Sequence, residues 1–128
     1  VGVSKDKLQT YAKIGNHSRV ESASPHRLIQ LLFEGVLESL AVAQGAMDRG
    51  DMEVRGAATT KAINIISGLR DSLNPSVDSN LPYDLDRLYD YMQRRILEAH
   101  AQNDVAALSE VVELLRTLKS GWDGIADQ

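Results

Sequence analysis

Three of the four tyrosines in this chain, Tyr83, Tyr89 and Tyr91, fall close together, and two arginines and a histidine follow them. Polar-tipped aromatic side chains of this kind could form a binding or catalytic site. At 100° per residue, however, Tyr89 lies on the same helical stripe as the apolar residues around it. The spacing therefore predicts Tyr89 in a helical core, with its hydroxyl at the edge of the bundle, and Tyr83 and Tyr91 as boundary or surface residues.

No other pattern of residues indicates an enzyme. A Walker lysine loop, a G-x-G-x-x-G turn and an H-E-x-x-H helix are all absent. Glu98 and His100 have the wrong spacing for the Glu-x-x-His pairs of a di-iron bundle. The chain has no cysteine, which excludes disulfides, thiolate metal sites and cysteine nucleophiles. We therefore expect a protein without catalytic activity that uses no metal and no cofactor.

Histidine phosphotransfer is the remaining chemical alternative, because it also uses an antiparallel four-helix bundle. That chemistry needs an exposed histidine in mid-helix, with a lysine and a small residue nearby. His26 is expected in the first turn of a helix as a solvated residue, and His100 stands near a helix C-terminus, where the macrodipole explains its presence. Neither position favours phosphotransfer.

Composition and charge narrow the range of partners and locations. The chain has 128 residues and a net charge of −4, with acidic and basic residues interspersed. Since nucleic-acid binding depends on clustered Lys and Arg, nucleic acid is not an expected partner. No uninterrupted apolar run approaches the roughly 20 residues that span a bilayer, and the N-terminus does not resemble a signal peptide. We expect a soluble, cytoplasmic protein without membrane insertion.

Helical periodicity, N-caps and chain breakers predict four long helices. Ser24, Asp51 and Asp104 are good N-caps, and Gly50 is a natural stop. The short connections after the first and third helices favour antiparallel neighbours, and hence an all-α, antiparallel four-helix bundle. We expect one domain over 1–128, with the bundle at 24–122 and a mobile N-terminal segment at 1–23 that carries a short helical cap. The predicted helices cover 25–49, 52–73, 83–102 and 105–120.

The first and last helices have apolar arcs wider than the stripe of about 100° that a bundle helix needs. Either additional chain covers these surfaces or they bind a partner, and a homodimer would use them equally well. The N-terminal segment offers one cover, since Leu8, Tyr11 and Ile14 are spaced by three residues, as on a short helix.

Four blocks in order resemble the FliS family, the export chaperones for flagellin. "SPHRLIQLLFEGVLESLAVAQGAM" (24–47) is similar to the opening helix of that family, and "KAINIISGLRDSLN" (61–74) to its second helix. "LDRLYDYMQRRILEAHAQND" (85–104) resembles its most recognisable block, and "LSEVVELLRTLKSGWDGI" (108–125) its last helix, which ends in Trp. The loop before the third helix departs from the family pattern, because Pro82 and Tyr83 stand there without a Gly-Gly-Glu type turn.

The resemblance implies an antiparallel four-helix bundle that binds the disordered C-terminal region of flagellin, stops its premature polymerisation and helps deliver it to the export gate. An amphipathic tail of that kind needs apolar grooves, and the wide arcs of the first and last helices are the candidates. The "LQTYAKIG" motif (8–15) resembles a Tyr segment of the family, expected either to cap the empty groove or to contact flagellin. An adaptor for another amphipathic helix is the alternative. The predicted partner-binding residues are Leu8, Tyr11, Ile14, Ile29, Phe33, Leu37, Leu40, Tyr91 and Leu114.

Overall fold

The structure, a computed structural model, describes residues 23–75 and 78–125. Within these ranges the chain forms four α-helices and no strand, which confirms the predicted fold class. The residues predicted for the N-terminal cap lie outside the described ranges. The helices are α1 (Pro25–Arg49), α2 (Met52–Asp71), α3 (Leu81–Gln102) and α4 (Val105–Asp123).

The four helices form a ring in which each packs against two neighbours. α1 packs against α2 and α4, and α3 packs against the same two helices from the opposite corner. Cross-helix hydrogen bonds show that neighbours run antiparallel. Gln30, near the start of α1, reaches Asp123 at the end of α4, while Gln44, near the end of α1, reaches Ser109 near the start of α4.

Local chemistry sets most of the helix ends. The side chains of Ser24, Asp51 and Asp104 each accept a hydrogen bond from the main-chain N–H three residues later, as an N-cap does. Gly50 ends α1 with φ of 70°, a left-handed conformation that glycine adopts without steric cost. Asn103 ends α3 with φ of 53°. The bounds of α1 therefore agree with the prediction.

Three predicted bounds were wrong. α3 begins at Leu81, not at Tyr83, because Pro82 sits in its first turn, where a missing N–H costs nothing. The Ser79 hydroxyl accepts a hydrogen bond from the Leu81 N–H at 2.9 Å, whereas the N-cap residue Asn80 makes no side-chain capping bond. α2 ends at Asp71, two residues before its predicted end at residue 73. α4 continues through Gly121 to Asp123, so Gly121 is inside the helix and does not fray it.

The core explains the wide apolar arc of α1. Because α1 has neighbours on two sides, its buried residues cover a wide arc, from Leu28 and Leu32 to Phe33 and Leu40. The other helices also bury residues at helical spacing, such as Met92, Ile96 and Ala99 on α3. By length and mean hydropathy α1 is the one helix of the described ranges that could cross a membrane, but core helices of bundles pass the same test. The largest fully buried side chains are Leu28, Leu32, Val36, Leu40, Ile65, Ile66, Leu69, Met92, Ile96, Leu108 and Leu115.

Candidate functional site: an apolar cleft at one end of the bundle

A cleft of about 380 Å³ opens at the end of the bundle where α1 and α3 begin and α2 and α4 end. Its volume is within the range of about 300–1,000 Å³ found for ligand sites. None of the described residues that line it is charged. We call it the end cleft; its lining residues are Ile29, Phe33, Leu69, Ser72, Leu73, Asn74, Leu81, Pro82, Leu85, Tyr89, Thr117, Leu118, Gly121, Trp122 and Ile125.

Hydrogen bonds between α1 and α4 hold one side of the end cleft. The indole N–H of Trp122 donates to the main-chain carbonyl of His26 at 3.0 Å, and the two rings stack with centroids 5.0 Å apart. Asp123 accepts from Gln30 at 2.8 Å and from Lys119, which lowers the pKa of Asp123. Trp122 packs against the core and forms a wall of the end cleft.

A polar network between α2 and α3 holds the other side. Arg70 donates two hydrogen bonds to Asp86, at 2.8 and 3.1 Å, and further ones to Asp90 and Gln93. The hydrogen bond to Asp86 is the main reason that the pKa of Arg70 is raised. Gln93 in turn donates to the carbonyl of Ile63 at 2.9 Å. These contacts fix the first half of α3 against the end of α2, and so position the α3 side chains that line the end cleft.

The predicted binding residues divide into groups. Ile29 and Phe33 line the end cleft. Leu37 and Leu114 are half-buried against the core. Leu37 follows Phe33 by one helical turn, and Leu114 precedes Leu118 by one turn, so on these antiparallel helices both continue the apolar surface away from the mouth of the cleft.

Leu40 and Tyr91 lie elsewhere. Leu40 has no exposed surface, so it packs the core behind this surface and offers no contact of its own in this conformation. The Tyr91 hydroxyl donates to Glu110 on α4, which raises the pKa of Tyr91. Arg95 donates to the same carboxylate at 2.8 Å. The hydrogen bond from Arg95 is the main reason that the pKa of Glu110 is lowered, and the hydrogen bond from Tyr91 adds to it. Leu8, Tyr11 and Ile14 lie outside the described residues.

Most of the residues that line the end cleft were not predicted from the sequence. The apolar arcs of α1 and α4 indicated two of its walls, but Ser72, Leu81 and Ile125 stand at or just beyond helix ends, where periodicity carries no signal. The one available signal was the pair of Pro82 and Tyr83, which marked the loop as unusual. Tyr89 is buried as predicted, and burial raises its pKa.

His26 differs from its prediction, whereas His100 lies in the last turn of α3 as expected. His26 is half-buried under Trp122 and is not a freely solvated residue. The Nδ1 atom of His100 accepts a hydrogen bond from the Arg55 guanidinium at 3.2 Å. Over the residues that the structure describes, no three side chains of His, Cys, Asp or Glu cluster in a way that could hold a metal ion.

Comparison with known proteins gives matches to a single family. Residues 7–128 match the family model described as flagellar protein FliS. The flagellar secretion chaperone FliSB of Pseudomonas aeruginosa is 47% identical over 119 residues, which cover 93% of this chain and 94% of the relative. The flagellar secretion chaperone FliS of Salmonella typhimurium is 40% identical over 120 residues (93% and 89%), and that of Bacillus subtilis 33% identical over 103 residues (80% and 76%).

Proposed function

Because the chain belongs to the FliS family of flagellar secretion chaperones, we propose that it binds the disordered C-terminal region of flagellin in the cytoplasm. Bound flagellin cannot polymerise prematurely, and the complex delivers it to the flagellar export apparatus, whose gate components are the second class of partner. The protein does this by binding alone, without a catalytic step.

The end cleft is the observation that carries this proposal. An amphipathic tail that forms a helix on binding buries apolar residues at positions i, i+3, i+4 and i+7 in a groove. The end cleft offers such a groove, with Phe33 and Leu118 in its walls, and Leu37 and Leu114 lengthen it along α1 and α4. A client that orders on binding must cover a large area to offset its lost entropy, and an extended surface supplies that area.

The exposed apolar residues at the rim of the end cleft favour the proposal of an apolar client. Leu81 and Ile125 line the cleft and are 58% and 39% exposed, which leaves large apolar side chains in water until a partner covers them. Because no charged side chain lines the cleft among the described residues, binding there depends on apolar burial and is insensitive to salt.

Titration with a peptide of the flagellin C-terminal region tests the proposal. The chain has one tryptophan, Trp122, and it lines the end cleft, so a tryptophan-free peptide that seats there changes the intrinsic fluorescence. Leu81→Gln should weaken binding roughly three- to tenfold, because the client loses an apolar contact. Leu97→Gln is the matched control, since Leu97 is 54% exposed on the same helix and does not line the cleft.

Three outcomes are decisive. Flagellin lacking its C-terminal tail should fail to co-purify with this chain, whereas full-length flagellin should be retained. If both forms are retained equally, the tail is not the client region. If neither is retained, the chain is an adaptor for a different amphipathic partner. If Leu81→Gln and Leu97→Gln bind alike, the client lies on another surface.

The N-terminal segment is proposed to act on the same surface. The apolar spacing of Leu8, Tyr11 and Ile14 suits a segment that competes with the client or adds to its contacts. Deletion of 1–20 should tighten binding of the flagellin peptide in the first case and weaken it in the second. An unchanged dissociation constant in titration calorimetry would contradict both.

A further inference from the structure

Tyr89 adds a polar side chain to the mostly apolar lining of the end cleft. The residue lines the end cleft and is only 4% exposed. No residue of the described ranges makes a hydrogen bond with its hydroxyl, and burial raises the pKa of that hydroxyl, which therefore stays protonated. The hydroxyl oxygen is not one of the fully buried atoms without a partner, so water reaches it in the free protein. A client that covers the end cleft removes this water, and the hydroxyl then needs an acceptor on the client.

The other polar side chains of the end cleft each have an interaction partner. Ser72 donates to the carbonyl of Leu69 at 2.7 Å, and Thr117 donates to the carbonyl of Glu113 at 3.0 Å. The indole N–H of Trp122 is bonded to His26, and Asn74 also has an interaction partner. Among the hydroxyls of the described cleft residues, that of Tyr89 is thus the one without a hydrogen-bond partner.

We infer that the Tyr89 hydroxyl donates a hydrogen bond to an uncharged oxygen of the segment that occupies the end cleft. The inference rests on the proposed function, since it names what the cleft recognises in the flagellin tail. The acceptor is uncharged because none of the lining residues is a cation, and an unpaired carboxylate would be costly to bury there.

On an apolar segment the oxygens available for this bond are main-chain carbonyls. Inside a helix these carbonyls accept from the N–H four residues later, and only the last four remain unused. The last four carbonyls of a client helix, or those of an extended part of its chain, are the best acceptors for the Tyr89 hydroxyl, and a carbonyl inside the helix offers only its second lone pair.

Tyr89→Phe tests this inference because it removes the hydroxyl and keeps the ring. In titration calorimetry with the flagellin C-terminal peptide, its affinity should fall about five- to tenfold, since the client carbonyl is left buried without a donor. The thermal midpoint of the free protein should stay the same or rise, because the free protein has no bond to lose there. Tyr83→Phe is the control: it removes an exposed hydroxyl outside the end cleft and should leave the affinity unchanged.

The outcomes separate this inference from the proposed function. If the wild-type chain binds the peptide and Tyr89→Phe binds equally well, the inference is overturned and the proposed function stands. If Tyr89→Phe binds more weakly but has also lost thermal stability, the hydroxyl has a structural role and the inference fails. If the wild-type chain does not bind the peptide at all, the proposed function fails and the inference fails with it.

Discussion

Arg55 is a buried cation whose described partners are both uncharged. The residue is only 8% exposed, and it donates to His100 at 3.2 Å and to the side-chain oxygen of Asn103 at 2.6 Å. Both partners lie at the C-terminal end of α3, where the unpaired carbonyls carry partial negative charge that favours a cation. Arg55 thus fastens the start of α2 to the connection between α3 and α4.

Replacement of Arg55 by Met should destabilise the bundle by about 2 kcal/mol, because His100 and Asn103 lose their donors while the apolar stem is kept. Urea denaturation measures this loss. Arg94→Met is the matched control, since the Arg94 side chain is mostly exposed and, among the described residues, pairs with Asp90 on its own helix; less than about 0.5 kcal/mol is expected there. Equal losses in the two variants would show that the buried contacts contribute nothing.

At the scale of a helix, glycine acts in opposite ways at two positions. Gly50 has φ of 70°, so any side chain there is strained although nothing lies within 4 Å of an added Cβ. Gly121 lies within α4, and an added Cβ would again meet nothing within 4 Å. The same substitution therefore tests conformation alone at both sites.

Gly50→Ala should lower the free energy of unfolding by about 1 kcal/mol, because alanine disfavours the left-handed conformation. Gly121→Ala should raise it by about 0.5–1 kcal/mol, because alanine is the better helix former. Thermal unfolding of both variants beside the wild type checks the pair of signs. A loss at Gly121 would indicate that α4 ends before this residue, as the sequence had suggested.

At the scale of the whole molecule, carboxylates that accept hydrogen bonds within and between helices make the bundle sensitive to acid. Hydrogen bonds from Arg94 to Asp90, from Arg95 and Tyr91 to Glu110, and from Lys119 and Gln30 to Asp123 lower the pKa of each carboxyl group. A carboxylate with a lowered pKa in the folded state contributes stability above its ordinary pKa. That contribution is lost as the pH falls through the folded-state pKa.

We therefore expect the thermal midpoint to change little above about pH 5 and to fall below about pH 4. Glu110→Gln should flatten part of this acid limb, because it removes the titrating group that links α3 to α4. The groups are exposed, so added salt should reduce the difference between the two proteins. Parallel curves of thermal midpoint against pH for wild type and Glu110→Gln would contradict this account.

The sequence by itself determined the four helices, their antiparallel connection and most of their inward faces. These features follow from local rules: Ser24, Asp51 and Asp104 cap their helices through bonds three residues away, and a 3.6-residue period places Tyr89 in the core. The family could also be recognised, because the order of its four blocks is a property of the chain.

Only the tertiary structure decided where the end cleft lies and which residues line it. The cleft joins two helix starts, two helix ends and a loop, and their side chains meet only when the ring of helices closes. The sequence could predict a buried Tyr89 but not its unused hydroxyl, because a hydrogen bond that is missing becomes evident only when all neighbours are in place. The tertiary structure also showed that the wide apolar arc of α1 is mostly core, since two packed neighbours bury more of a helix than one.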